Sequence, residues 1–179
     1  MRPILESIEA EYRRYKQLAE GAFEQLSEEQ LSRTAGASGN SAATIAWHVS
    51  GNLESRFTEF LRSDGEKPGR DRDSEFLPRS VSRAELLEKW ERGWSALVTS
   101  LAGLDDSQLQ SVVTIRGVPF TVIEALHRSL THVSYHAGQI VFLAKELRGG
   151  QWRYLTIPPG GTPAYNANPV SEKPPGPRR

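Results

Sequence analysis

The chain has 179 residues, and its 22 lysines and arginines balance 22 aspartates and glutamates, which gives a formal net charge of zero. This length suits one domain, and a neutral chain has no global electrostatic attraction to nucleic acid or anionic membranes. No apolar run approaches the ~20 residues of a membrane span. Acidic residues interrupt the N-terminal stretch where a signal peptide would be apolar. These features predict a cytoplasmic protein that binds neither nucleic acid nor membrane.

Apolar residues recur at steps of three and four in four segments, the pattern of amphipathic helices. The predicted helices cover residues 4–26, 40–62, 82–101 and 121–148. Capping-box pairs mark two of the starts, Ser82 with Glu85 and Thr121 with Glu124, and Gly149 marks the end of the last helix. Four such helices in a small domain predict an all-α fold, a four-helix bundle.

The predicted helices are joined by long connections. Residues 63–80 contain two prolines, two glycines and densely mixed charge, which predicts an ordered crossover loop. Residues 110–120 look extended around Arg116 and Gly117, so a short hairpin is predicted there.

Proline sets the C-terminus apart from the rest of the chain. Seven of the eleven prolines lie between Pro158 and Pro177, which predicts an extended tail without regular helix. The predicted division is a bundle domain over residues 1–150, an ordered tail over 151–168 that packs on the bundle, and a disordered end over 169–179.

Cysteine is absent, and the four histidines are His48, His127, His132 and His136. Without cysteine the chain itself offers no disulfide, no thiolate nucleophile and no cysteine-ligated zinc or iron–sulfur site. A transition-metal site would therefore have to take its ligands from histidine, aspartate and glutamate.

The spacing of the histidines predicts a metal site. His132 and His136 lie four residues apart, on one helix face, so both can reach a common ion at ~2.0–2.1 Å. A helical wheel places them at the border of the apolar stripe, and His48, Asn52 and Arg56 follow the same border on the second helix. If the two borders face each other, His48 completes a three-histidine site with a position open for water or substrate. The alternative is that each of these histidines is a partly buried structural side chain.

His127 lies on the opposite side of the fourth helix, which predicts a surface or interface position. With Glu124 it forms a Glu-x-x-His pair, the half-motif of di-iron bundles. That motif is needed twice and occurs once, so a di-iron site is not predicted.

Three polar residues share the border positions. Asn52 either orients a substrate or forms a helix–helix hydrogen bond, and Gln139 is predicted to bond a ligating histidine. Arg56 either binds a substrate carboxylate or pairs with an acid of the 63–80 loop. The candidate acids are Asp71, Asp73 and Glu75. No catalytic residue is assigned.

Three stretches of sequence carry a resemblance to a known family. They are TIAWHVSGNLESRFTEFLRSDGEKPGRDRDSEF, THVSYHAGQIVFLAKEL and WRYLTIPPGGTPAYNA, in that order. The chain resembles the DinB/YfiT-like metalloenzyme superfamily and, more narrowly, an uncharacterised bacterial branch of it.

The resemblance implies a bundle with down-up-up-down wiring and frequent homodimers. It also implies a divalent metal (Ni, Zn, Fe or Co) held by His48, His132 and His136. In some relatives the metal activates a low-molecular-weight thiol cosubstrate.

The sequence thus predicts a metal-binding protein that acts on a small molecule, as a thiol-dependent S-transferase or a metal-dependent hydrolase. The alternative is a non-enzymatic stress-related or interaction module, a homodimeric bundle whose histidines are structural.

Overall fold

A computed structural model describes residues 2–34, 36, 39–170 and 172. The described α-helices are α1 (Pro3–Gln25), α2 (Glu28–Ser32), α3 (Ala42–Phe57), α4 (Arg83–Ala102), α5 (Val122–Arg148) and α6 (Thr162–Ala167). Strands β1 (Val112–Ile115) and β2 (Val118–Thr121) form an antiparallel pair between α4 and α5. The chain is mostly helical, as predicted, and the hairpin expected within residues 110–120 is present beside the helices.

The predicted capping boxes open α4 and α5. In α4 the Ser82 hydroxyl accepts a bond from the Glu85 amide while the Glu85 carboxylate accepts one from the Ser82 amide, and Thr121 and Glu124 do the same for α5. Each cap satisfies amides that the helix itself leaves unpaired, typically worth ~1 kcal/mol. Gly149 ends α5 at φ 52°, a backbone conformation that favours glycine.

The helix predicted for residues 40–62 ends earlier, at Phe57. Thr58 is extended, Glu59 has φ 50°, and the chain turns into the crossover loop. Phe57 and Phe60 are both buried, with ring centroids 5.0 Å apart. Apolar spacing alone could not separate this turn from a further turn of helix, because both bury Phe60.

The prediction that the proline-rich tail contains no regular helix is wrong, because α6 lies within it. Pro163 occupies the first turn of α6, where its missing N–H removes no helical hydrogen bond. Trp152 and Leu155, before α6, are partly buried against the core. Of the segment 169–179, predicted to be disordered, all but Pro169, Val170 and Glu172 lies outside the described residues.

The long helices pack around one hydrophobic core. Helix α3 contacts α4 and α5, and α1 contacts α5. Trp90 and Trp94 of α4 are almost fully buried, and Gly93 between them lets α4 approach Ser50 of α3 closely. Because α3 and α5 are neighbours, the helix that carries His48 lies against the helix that carries the other two site histidines. In the described part of the chain, no helix has the length and apolar character needed to cross a membrane.

Candidate metal centre

The structure brings His48, His132 and His136 together, as the sequence predicts. One nitrogen from each ring lies within 4.8 Å of the others. His48 comes from α3 and the other two from successive turns of α5, with ring centroids 4.9 Å (His48–His136) and 4.5 Å (His132–His136) apart. His48 and His136 are buried and His132 is half-buried.

The separation of two ring nitrogens fits coordination of a single ion. His48 Nε2 and His132 Nε2 are 3.0 Å apart. Two nitrogens bound to one ion at ~2.1 Å are about 3.0 Å apart when they subtend 90°, and about 3.4 Å apart at the tetrahedral angle. The three-histidine set therefore suits a divalent transition metal in both donor type and spacing.

The opposite ring nitrogens are held by hydrogen bonds from the histidines to neighbouring side chains. His48 Nδ1 donates to Glu75 Oε2 at 2.8 Å, and His136 Nδ1 donates to Gln139 Oε1 at 2.7 Å. Gln139 in turn donates to the Tyr135 hydroxyl at 3.0 Å. With Nδ1 carrying the proton, Nε2 of His48 and of His136 keeps its lone pair, which is the tautomer a metal requires. Among the described residues, His132 Nδ1 is buried without a hydrogen-bond partner.

Glu75 was named from the sequence only as a candidate partner of Arg56, and its contact with His48 was missed. It lies in the short turn Asp73–Phe76 of the crossover loop, is buried, and receives two hydrogen bonds of 2.8 Å from Arg70 besides the one from His48. Burial raises the pKa of this carboxyl, but the bonds from His48 and Arg70 outweigh burial and lower it. Glu75 is therefore ionised at neutral pH and fixes the orientation of the His48 ring.

A glycine makes room for this carboxylate. A Cβ atom at Gly51 of α3 would clash with Glu75 Oε1, so any larger residue would displace the carboxylate. Gly51 follows His48 by three residues and faces the same side of the helix. A glycine in mid-helix one turn after a candidate ligand was the available sequence signal, because glycine there costs roughly 1 kcal/mol relative to alanine.

The two α5 histidines are uncharged at neutral pH. Burial lowers the pKa of His132 to about 3, and the neighbouring His136, His48, Arg70 and Arg56, which disfavour a positive charge at this position, lower it further. Burial also lowers the pKa of His136 to about 4, although its bond to Gln139 acts in the opposite direction. Neutral imidazole is the form that binds metal.

The metal-free protein is therefore expected to lose stability as the pH is lowered from 7 to 5. A histidine in the unfolded chain has a pKa of about 6.5 and takes up a proton in this range. Folded His132 and His136 stay neutral. The free energy of unfolding decreases with decreasing pH wherever the unfolded state binds more protons. Urea unfolding at pH 7, 6 and 5 measures the effect, which should be smaller in His132→Gln and unchanged in the control His127→Gln. Equal wild-type stability at pH 7 and 5 would contradict the prediction.

The remaining predicted site residues lie around a cavity of about 220 Å³ beside the histidines. Asn52 and Arg56 line it together with His48 and His132. Arg56 also pairs with the crossover loop, as one alternative predicted, but its partners are Glu66 at 2.9 Å and the Gly65 carbonyl.

The prediction that Arg56 pairs with Asp71, Asp73 or Glu75 is therefore wrong in the choice of acid. Glu75 is engaged by His48 and Arg70, and Asp73 is 97% exposed beside Arg72. Asp71 caps the turn before Glu75, where it accepts a bond from the Ser74 amide. Glu66 lies earlier in the loop, where its carboxylate reaches the last turn of α3.

His127 is exposed on α5, as predicted, and does not belong to the cluster.

The crossover loop is fastened to the β-hairpin. The Asp64 carboxylate accepts bonds of 2.8 Å from the amides of Arg116 and Gly117, and the Gly65 amide donates to the Thr114 carbonyl at 2.7 Å. Arg116 and Gly117 both have positive φ and form the two-residue turn between β1 and β2. The loop that carries Glu66, Arg70 and Glu75 is thereby held in place at its start.

Comparison with known proteins identifies one family. No curated protein and no solved structure matches the chain. The model of a family described as "protein of unknown function (DUF1572)" matches residues 1–161, which is most of the chain. The chain therefore belongs to the DUF1572 family.

Proposed function

We propose that His48, His132 and His136 hold one divalent cation through their Nε2 atoms, and that the protein is a metal-dependent enzyme acting on a small molecule in the adjoining cavity. The observation that carries the proposal is the convergence of three histidines, two of which also line that cavity. Imidazole ligands suit zinc, nickel, iron and copper, and from the resemblance we propose Ni, Zn, Fe or Co.

The ligand set determines what chemistry the centre can support. Three neutral ligands leave a bound cation its full charge, and such a cation supplies Lewis acidity that lowers the pKa of a thiol or of water, so that a nucleophile is available near neutral pH. Because the chain has no cysteine, a thiol would have to come from a cosubstrate. We propose a thiol-dependent S-transferase or, with water as the nucleophile, a hydrolase.

The side chains around the centre have positioning roles in this proposal. Glu75 and Gln139 hold the His48 and His136 rings with Nε2 directed into the cluster. Phe76 packs on the His48 ring with a centroid distance of 4.4 Å and shields it from water. Asn52 and Arg56, on the cavity wall, would orient a substrate.

We further propose, from the resemblance, that α1, α3, α4 and α5 form a DinB-like four-helix bundle with down-up-up-down wiring. The bundle domain would cover residues 1–150 and the ordered tail 151–168. The same resemblance supports a homodimer, and from the composition of the chain we propose that it is cytoplasmic. Light scattering of the purified full chain at micromolar concentration tests the oligomeric state.

Metal analysis of purified protein tests the proposed centre. We expect about one equivalent of divalent metal per chain, largely lost in His48→Ala and His132→Ala, because each removes one of three ligands. His127→Ala is the matched control and should retain the metal, since His127 is exposed and outside the cluster.

The same proteins allow a second measurement after treatment with a chelator. Added Ni²⁺ or Zn²⁺ should raise the melting temperature of the wild type and of His127→Ala only, because a ligand that binds the native state stabilises it. Near-zero metal in all samples, with no thermal shift, would refute the metal centre. That result would favour the alternative, an interaction module with structural histidines.

A further inference from the structure

The cavity beside the histidine cluster is lined by arginines from several parts of the chain. They come from α3, the crossover loop, the hairpin turn and α5, and no acidic side chain among the described residues lines the cavity with them. The arginines are Arg56, Arg70, Arg72, Arg116 and Arg128. A concave wall of one charge sign concentrates ligands of the opposite sign.

The arginines that line the cavity outnumber the carboxylates that pair with them. Glu66 pairs with Arg56 at 2.9 Å, with Arg116 at 3.1 Å and with Arg70 at 3.5 Å. With Glu75, which pairs with Arg70, these three guanidinium groups have two carboxylates between them, so one positive charge is left over. Burial lowers the pKa of Arg56 despite its bond to Glu66, and the positive Arg70 and Arg116 lower it further.

Arg70 has unused hydrogen-bonding capacity inside the protein. Its side chain is only 6% exposed, and Nε and Nη2 donate to Glu75. Its Nη1 is buried 3.5 Å from Glu66 Oε2, but among the described residues it has no hydrogen-bond partner. A buried donor without an acceptor is costly, so an anionic oxygen in the cavity would relieve this cost.

Two further arginines line the cavity, and neither has a close acidic partner among the described residues. Arg128 lies 5.8 Å from the centre of the Phe120 ring, and no acid in the described part of the chain forms an ion pair with it. Arg72 approaches the fully exposed Asp73 at 3.6 Å and stacks over Phe76 at 4.9 Å. An exposed pair of this kind contributes little and is easily replaced.

We infer that this cavity binds a small organic oxyanion, whose carboxylate or phosphate group pairs with the wall arginines, Arg128 foremost, while the rest of the molecule lies against His48 and His132. Guanidinium matches both oxyanions through paired hydrogen bonds. The volume of about 220 Å³ is below that of typical drug-sized pockets, so the ligand is small. The inference names a substrate class for the proposed metal-dependent activity and in that sense rests on it, but anion binding itself needs no metal.

Binding of simple anions to the metal-free full chain tests the inference. Chelator-treated protein is titrated with succinate and, separately, with inorganic phosphate, and sodium chloride at equal ionic strength is the reference. Calorimetry and melting temperature are the readouts. We expect saturable binding of at least one anion and at least tenfold weaker binding in Arg128→Gln, because the variant loses a charge-assisted hydrogen bond to the anion. Arg92→Gln, an exposed arginine of α4, is the matched control and should bind as the wild type does.

The outcomes separate the anion site from the metal site. Binding of succinate alone assigns a carboxylate ligand, and binding of phosphate alone assigns a phosphorylated one. Arg128→Gln should keep its metal, whereas His136→Asn, whose side chain is not part of the cavity wall, should lose metal but still bind the anion. No binding of either anion to the wild type, a shift that chloride reproduces, or equal binding by Arg128→Gln would overturn the inference.

Discussion

Replacing Glu75 with alanine is expected to lower the free energy of unfolding by about 3 kcal/mol, because it removes one partner of a buried ion pair. Arg70 would lose both 2.8 Å bonds to the carboxylate and keep only the 3.5 Å approach to Glu66. His48 Nδ1 would lose its acceptor, so the ring would no longer be held with Nε2 toward the cluster. Urea unfolding of the metal-free protein measures the loss of stability.

The glutamine variant separates orientation of the histidine from folding. Glu75→Gln keeps the size of the side chain and retains one acceptor oxygen, so we expect a smaller loss of stability. Loss of the acceptor in Glu75→Ala is expected to cost about 10–100-fold in metal affinity, and Glu75→Gln should lose less; a competition titration with a chromophoric chelator measures both. The control is Glu54→Gln, which breaks only the partly exposed pair with Lys89. Metal affinity equal to wild type in Glu75→Ala, which leaves His48 Nδ1 without this acceptor, would refute the positioning role.

Replacing Gly93 with alanine is expected to destabilise the protein by about 1–3 kcal/mol, although alanine is the better helix former. The added Cβ would lie 2.6 Å from Ser50 Cα and 2.7 Å from the Ser50 carbonyl oxygen. These are backbone atoms, so no side-chain rotation relieves the contact, and α3 and α4 must move apart. Ser50 lies two residues after His48 on α3, and we therefore expect weaker metal binding as well.

Gly138→Ala provides the matched control for Gly93→Ala. Gly138 lies on the exposed face of α5, and an added Cβ there would meet no neighbouring atom within 4 Å among the described residues. Alanine at this position should raise stability by up to about 1 kcal/mol. Thermal or urea unfolding of both variants gives the comparison, and a Gly93→Ala protein as stable as the wild type would show that the helices can separate without cost.

The histidine cluster could be predicted because its residues lie on regular helices. Periodicity fixes which residues of a helix share a face, so the positions of His132 and His136 relative to the core followed from their spacing. Placing His48 beside them required only that the two helices be neighbours, which the structure confirms. Capping boxes gave the starts of α4 and α5 for the same reason, since the motif acts over a single turn.

The loop residues that surround the histidine cluster could not be predicted in the same way. Glu75, Arg70 and Glu66 lie in irregular backbone, where no period relates position in sequence to direction in space. The charged residues of the loop were visible, but which carboxylate faces which guanidinium depends on the anchoring of Asp64 at the hairpin turn, some 50 residues further along the chain. The prediction of a tail without helix failed for a local reason, because Pro163 lies in the first turn of α6, where a helix tolerates proline.

The attachment of the crossover loop to the hairpin has a consequence for dynamics. Backbone without regular secondary structure normally exchanges its amide hydrogens quickly, but the amides of Gly65, Arg116 and Gly117 are all donated to protein acceptors. Slow deuterium uptake at these amides would identify the loop and hairpin as one cooperative opening unit. In that case the cavity arginines of the loop and hairpin are held rigidly before a ligand binds, and little conformational entropy is lost on binding.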